Sequence, residues 1–472
     1  MNGTTITAKT ELFHMSDLSP VFHLAILALL SGCAGSSIQS ERAARGDLAA
    51  VTSRYRPGDA KPELPALTKD SGIADYLRFA MFNNPRIEAA YYDWAASVEN
   101  ITVARSLPDP RLTFAADVAG MIASAMAGLM VDLPGPGKLR ASGNVAAAES
   151  RDRYYAFEME VLRTAFAVKS AYYRLQFLEG NIHVQRDTLK LLGDLEQLAR
   201  VQNAAGRVTL QDVLRSQIEQ EQLKTRIENL EDSRSTLRAE LESALGLGSE
   251  DADMPMPEEF TSSGETPDHE KILEIALRRN PVIQQMAAEV RQSQAMLDLA
   301  RKAGVPDFTI GIEADFKANP TMWTPSASVT LPIWRDKIAA QIAGGQAGKR
   351  AGEARLSSAQ VQLAAELAAM LYMYRESVRN TELLDGRLIP KGRLSLAAAR
   401  TGYANGKSGF LDVIEGYRQL LGFDLALIEA RTQKELALAS LSLLIAGTPP
   451  QGSPTLPPEE RSSQSKQKED SK

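Results

Sequence analysis

The chain has 472 residues, room for two to four domains, and its 44% hydrophobic and 24% charged residues suit a folded protein. A net charge of −6 argues against a general nucleic-acid binder, and a single cysteine excludes an internal disulfide and a Cys-based metal centre. The four histidines (His14, His23, His183, His269) lie too far apart in sequence for a His-rich metal site, and aromatics at 6% beside abundant alanine favour long helices.

Val21–Leu30 is a short apolar run of signal-peptide length, too short to span a bilayer. It leads into Leu30-Ser31-Gly32-Cys33. Small residues there suit a signal peptidase, and the thiol can accept lipid. The segment is similar to a bacterial lipobox, which makes 1–32 a signal peptide and Cys33 the lipidated first residue. Lys9 is offset by Glu11 and Asp17, so the leading residues are not clearly basic. A free cysteine beside an apolar stretch is the plainer alternative. Residues 33–67 are Gly/Ser/Arg/Pro-rich and predict an extended tether.

A helix is expected over about Ser71–Ser106, broken or restarted at Asn84-Pro85. Two short alternating segments follow, within about 110–133. Leu112, Phe114, Ala116 and Val118 alternate with Thr113, Ala115 and Asp117; the return strand, about Ala127–Leu133, is Ala/Gly/Met-rich. A very long helix is expected over about Lys138–Asn203, which by its rise per residue reaches roughly 100 Å. Val161, Val168, Ala171, Leu175, Leu178, Ile182, Leu189 and Leu192 give it a coiled-coil seam. A turn at Gly206 leads into a returning helix, about Thr209–Leu245, and then an acidic, Pro-containing linker, 247–267.

The order then repeats. Asn84-Pro85 recurs as Asn280-Pro281, Pro108-Asp109 as Pro306-Asp307, and Leu133-Pro134 as Leu331-Pro332. Gly206-Arg207…Asp212-Val213 recurs as Gly406-Lys407…Asp412-Val413. The matches stay in order at offsets near 200, so the chain is two copies of one unit, 68–246 and 268–447. Copy two should hold a helix over Asp268–Ala303, strands within about 307–332, a long helix over Asp336–Ala404 with only Pro390 inside it, and a return over Phe410–Ile445. In its hairpin, Phe308, Ile310, Ile312 and Ala314 alternate with Thr309, Gly311, Glu313 and Asp315. The polar stretch 448–472 reads as a disordered tail.

Strands of roughly 7–10 residues can cross a bilayer as tilted barrel strands, and Trp323 and Trp334 sit where aromatic girdles would. A soluble hairpin capping a helical bundle is the alternative. Four strands cannot close a pore, because single-chain barrels begin at about eight, so a barrel requires copies of the chain.

The duplication, the element order, Asn84-Pro85-Arg86-Ile87, Ser106-Leu107-Pro108-Asp109-Pro110, Pro136-Gly137-Lys138-Leu139-Arg140 and the paired tips together resemble the TolC-type outer-membrane factors, on their lipoprotein branch, over about 68–447. The resemblance implies a mostly helical fold with a small β-barrel portion. Long helical hairpins would form a trimeric α-barrel tunnel, and four strands per chain would contribute to a twelve-stranded membrane barrel. It implies a homotrimer in the cell outer membrane extending into the periplasm. Such a channel works with a periplasmic adaptor and an inner-membrane pump, as a passive efflux conduit gated at its tip. A periplasmic coiled-coil adaptor or structural lipoprotein without a pore is the competing reading.

By position in the tip motif, Asp412 and Glu415 would be the acids that narrow the periplasmic aperture, with Tyr403 in the gate's hydrogen-bond network. Ser408 stands where the resemblance would put an arginine, and Lys407 is the candidate substitute. Asp412 could instead simply cap its helix. Gly206, Arg207, Gly406 and Lys407 mark the tip turns and the expected adaptor docking surface. Pro134–Lys138 superficially has the look of a phosphate loop but lacks the G-x4-G-K-[ST] pattern, and reads as a strand-to-helix turn. Met121, Met126 and Met130 read as hairpin filling rather than soft-metal ligands. No Ser/His/Asp or Cys/His constellation supports catalysis, and no cofactor is expected.

Overall fold

The computed structural model describes residues 37–118, 122–248 and 272–446. Cys33, the expected signal peptide, Met121, most of the expected linker and the expected tail lie outside the described residues. The elements in chain order are α1 (Gln39–Tyr55), α2 (Ile73–Asn83), α3 (Pro85–Arg105), β1 (Arg111–Val118), β2 (Ile122–Leu133), α4 (Lys138–Ala204) and α5 (Leu210–Leu245). Copy two continues with α6 (Ile272–Arg279), α7 (Pro281–Arg301), β3 (Phe308–Asp315), β4 (Met322–Val329), α8 (Arg335–Leu383), α9 (Ile389–Ala404) and α10 (Phe410–Leu444).

The Asn-Pro pairs break each first helix as expected. Pro85 starts α3, and Asn84 takes an extended conformation and accepts from Arg86 N at 2.9 Å. The same amide donates to Ala244 O at 2.9 Å, tying the start of copy one to its end. Copy two does likewise: Asn280 accepts from Val282 N at 2.9 Å and donates to Leu444 O at 2.8 Å. Each copy closes its own ends through one buried side chain.

α4 is an unbroken helix of 67 residues. The seam read from its sequence is buried from Val161 to Ile182 and again at Leu192, with Leu189 half-buried. α4 has neighbours on two sides. Tyr154, Tyr155 and Phe157 pack with α3 and α1 near its start, while Leu192, Leu195 and Ala199 pack with α5, α9 and α10 near its end. Between these, two matching clusters hold the middle of each copy: Tyr76, Ala80, Val168, Leu175 and Leu241 in one, and Ile272, Ala276, Leu363, Leu367 and Leu438 in the other.

The long helix of copy two differs. Five residues, Leu384–Leu388, form a π-helical turn between α8 and α9. Pro390 has no amide hydrogen, and its ring crowds the carbonyl four residues back, so the helix widens just before it.

The N-terminal segment corrects the tether reading. Over Gln39–Tyr55 it is a helix docked on α3 and α4, not extended chain. Val51 and Tyr55 are buried, and Thr52 Oγ1 lies 2.7 Å from Tyr91 Oη. Glu41 is 2% exposed and accepts from Arg105 and from Thr102 Oγ1 (2.6 Å). Arg45 forms paired bonds of 2.8 Å with Glu99, and Arg151 reaches Asp47 at 2.7 Å. Arg56 is buried at the end of α1, its guanidinium 4.1 Å above the Tyr55 ring and 3.4 Å from Glu88.

The four strands form one antiparallel sheet in the order β1-β2-β3-β4. Its register keeps the period-two pattern coherent across all strands. Leu112 pairs Leu129, which pairs Ile312; Phe114 pairs Ala127, which pairs Ala314, then Trp323. These rows make one apolar face. The opposite face carries Thr113, Gly128, Glu313 and Thr324, with Arg111 bound to Asp132 at 2.6 Å and Thr309 donating to Asp132 at 2.7 Å. Met126 and Met130 fall on this polar face, and Met130 lies over Gly311, which supports the filling role.

The helices follow the strands. α3 leads into β1, β2 into α4, α7 into β3 and β4 into α8, and the packing order α3-α4-α7-α8 matches β1-β2-β3-β4. The molecule is therefore a panel, two copies wide, with free edges at β1/α3 and β4/α8.

Candidate functional site

The end of the molecule opposite the sheet gathers the residues singled out at the tips. α4 ends in a Schellman turn: Gly206 N donates to Asn203 O and Arg207 N to Gln202 O, both at 2.9 Å. α9 ends the same way, with Gly406 N to Tyr403 O at 3.1 Å and Lys407 N to Gly402 O at 2.7 Å. Gly206 and Gly406 have φ of 69° and 71°, the left-handed region that a Cβ disfavours. Both turns are exposed, Arg207 and Lys407 included. Gln202 Nε2 donates to Ala404 O at 3.0 Å and joins the two tips.

Tyr403 is buried against Phe410, ring centroids 5.7 Å apart. Its hydroxyl faces the Asp212 carboxylate without a well-formed hydrogen bond. Burial, reinforced by the Asp212 charge, pushes its pKa up to about 12. Asp412 and Glu415 lie one turn apart on the exposed face of α10. Asp412 Oδ2 accepts from Gly409 N at 2.9 Å, so this carboxylate caps α10 whatever else it does. Glu415 stands near Arg418, which pairs with Glu219 of α5. Ser408 Oγ donates to Ala399 O at 2.9 Å, a turn-closing role.

Tyr403, Asp412, Glu415, Gly406 and Lys407 thus come together on one tip, with Gly206 and Arg207 on its neighbour. The sequence reading missed Asp212 as the group facing Tyr403, because the contact joins different copies. It also missed the cleft of about 370 Å³ beside them, lined by Thr188, Leu192, Glu219, Leu223, Tyr417 and Arg418 from α4, α5 and α10. Among the described residues no cluster of His, Cys, Asp or Glu has the spacing to hold a metal ion, and no helix is long and apolar enough to cross a membrane.

The sheet supplies the complementary feature. Leu112, Phe114, Phe308, Ile310, Trp323 and Val329 on its apolar face are all exposed, Phe114 at 75%. An apolar face of that extent on a sheet with two open edges needs a cover.

The sequence pattern of outer membrane efflux proteins matches residues 78–247 and 272–447, the two copies almost end to end. The chain belongs to the outer membrane efflux protein family. Within it, the chain is 22% identical over 356 residues to the cobalt-zinc-cadmium resistance protein CzcC of Cupriavidus metallidurans, covering 73% of this chain and 82% of that one. Its fold is similar to that of CusC (TM-score 0.71, 16% identity, 81% of this chain and 94% of that one). It is also similar to the outer membrane protein VceC of Vibrio cholerae (0.68, 16%, 79% and 96%). The open state of the Neisseria gonorrhoeae MtrE outer membrane channel gives 0.67, with 17% identity over 82% and 94%.

Proposed function

We propose that three copies of this efflux-family chain close into an outer-membrane duct, open at the barrel and gated at the helical tip. The observation that carries the reading is the shared order of strands and helices. A panel with free edges at β1/α3 and β4/α8 can satisfy both edges at once only by meeting further copies. Three panels give a twelve-stranded barrel, apolar outward to lipid and polar inward to water, above a helical tunnel. Purified protein should form trimers in detergent and conduct in planar bilayers. A monomer that is soluble without detergent and never conducts would sink the reading.

Cys33 is the lipid anchor in this scheme. Ile38, just ahead of α1, packs over Gly143 near the start of α4, at the sheet end of the helices. The chain from Cys33 to Gln39 spans at most about 20 Å, within reach of the inner leaflet. Cys33→Ser should abolish labelling by radioactive palmitate.

The tip is the gate and the docking surface. Three copies of Asp412 and Glu415 around one axis repel each other and draw cations, while Gly206, Arg207, Gly406 and Lys407 present the turns to an adaptor that couples the duct to an inner-membrane pump. Asp412→Asn keeps an acceptor for Gly409 N–H and removes only the charge. With Glu415→Gln, it should raise single-channel conductance and relieve block by divalent cations. Unchanged conductance and block would remove the gate assignment. Asp132, Glu313 and Asp315 on the polar sheet face also suit cationic cargo, in keeping with similarity to a protein named for cobalt, zinc and cadmium resistance. A deletion strain should then lose tolerance to those ions before it loses tolerance to neutral dyes.

A further inference from the structure

Inside the chain, the two copies meet where α4 of copy one lies along α7 of copy two. Asp152 of α4 faces Gln285 of α7 there. Glu289, one turn further along α7, is close enough for its charge to act against Asp152, as does Glu149 on α4 itself. Ala288, beside Glu289, is fully buried in the same cluster as Tyr154 and Tyr155 of α4.

The duplication repeats both halves of this seam at the chain's outer edges, α8 as the counterpart of α4 and α3 as the counterpart of α7. The register of each is fixed. α3 and α7 both run 21 residues from their Asn-Pro pairs, so Gln285, Ala288 and Glu289 correspond to Ala89, Tyr92 and Asp93. Leu133-Pro134 and Leu331-Pro332 align α4 with α8, and packing agrees with that alignment. Trp94 of α3 lies against Tyr154 of α4, ring centroids 5.0 Å apart. Their counterparts, Val290 of α7 and Gly352 of α8, also meet: a Cβ on Gly352 would lie 3.5 Å from Val290 Cγ2. On this register Asp152 corresponds to Arg350 and Glu149 to Ala347.

Asp93 and Arg350 are both exposed, and among the described residues neither side chain has an ion-pair partner. Charged residues near them are already matched, Glu99 with Arg45, Lys349 with Glu353 and Arg355 with Glu289. The two cannot meet within one chain, because α4 and α7 lie between α3 and α8, three helix spacings of about 8–10 Å each.

We propose that Arg350 of one copy pairs with Asp93 of the next, across the seam that closes the ring. The proposal rests on the ring-closed reading above and names the residues that join its helices. In the inner seam an acid meets an amide, with two further acids nearby. In the outer seam the same positions set a cation against Ala89, with Asp93 one turn away and Ala347 in place of Glu149, so the long guanidinium arm has room to reach the carboxylate. The packing is exchanged as well. Tyr92 stands where Ala288 is buried and is 42% exposed in the single chain. Ala343, Ala347 and Ala354, on the face of α8 that carries Arg350, leave space for its ring.

The test is a charge exchange in the full-length protein. Asp93→Arg and Arg350→Asp should each lower the temperature at which the trimer dissociates in detergent, and the double variant should restore it. Singles without effect, or a double variant no better than the singles, overturn the pairing. A second measurement does not depend on stability. Asp93→Cys with Arg350→Cys, treated with a short bis-maleimide, should give covalent species of two and three chains on denaturing gels, absent from either single variant. If the protein is a trimer by light scattering yet no covalent species form, the pairing is wrong and the duct reading stands. If the unmodified protein is monomeric, both fall.

Discussion

Asn84 uses both ends of its amide: Oδ1 caps α3, and Nδ2 holds the last turn of α5. Losing the cap costs about 1 kcal/mol, and leaving Ala244 O buried without its donor costs roughly 1–3 kcal/mol more. Asn84→Ala should therefore lower the melting temperature clearly, and Asn84→Asp, which keeps only the cap, should fall between. Equal melting of all three would refute the double role. Glu41 offers a pH test. The bond from Arg105, opposed by burial and aided by Thr102 and Arg45, holds its carboxyl down to about 2, from an ordinary value of 4.5. A depressed carboxylate stabilises the folded state fully above its unfolded value and loses that contribution as pH falls toward the folded one. α1 should stay docked at pH 5 and become increasingly open to protease between pH 4.5 and about 2. Glu41→Gln should remove that dependence. Of the tip residues, the place of Asp412 in the first turn of the returning helix was legible from the repeated motif, whereas Glu415 lies outside it, Arg215 standing at the matching position of copy one. That Asp412 also caps α10 was foreseen only as an alternative, because the same first-turn position serves both roles.

Among the elements, the sheet makes the sharpest prediction. Phe114 is mid-strand on the apolar face, and Thr324 is on the polar one. Phe114→Arg should cost about 2–4 kcal/mol in a bilayer, seen as lost outer-membrane trimer, while Thr324→Arg should assemble normally. Equal behaviour would mean that the two faces are not lipid and water. The strands and the α4 seam were readable because periods of two and three-to-four are local signals. α1 was not. Its few large apolar side chains are spread among Arg, Ser and two acidic residues, and what holds it are partners such as Glu99, Thr102 and Arg105, more than 50 positions away. Composition alone made it a tether. The π-helical turn was announced only by Pro390, which marks a disturbance without saying whether the helix kinks or widens.

At the scale of the molecule, the duplication was the decisive sequence signal, and the structure adds that the two copies lie side by side in one panel. Inter-copy contacts such as Tyr403 with Asp212 were hidden, because nothing in either segment names the other. The same side-by-side arrangement has a consequence for assembly. A half-length chain carrying one hairpin and one helical pair would need six separate molecules, with all six seams formed between molecules, to close the same ring. Joining two units in one polypeptide makes three of those seams intramolecular. Those form at the high effective concentration that a short linker gives, roughly millimolar, whatever the amount of protein in the membrane. Only three seams are left to diffusion, so ring closure is less sensitive to how much protein the cell makes.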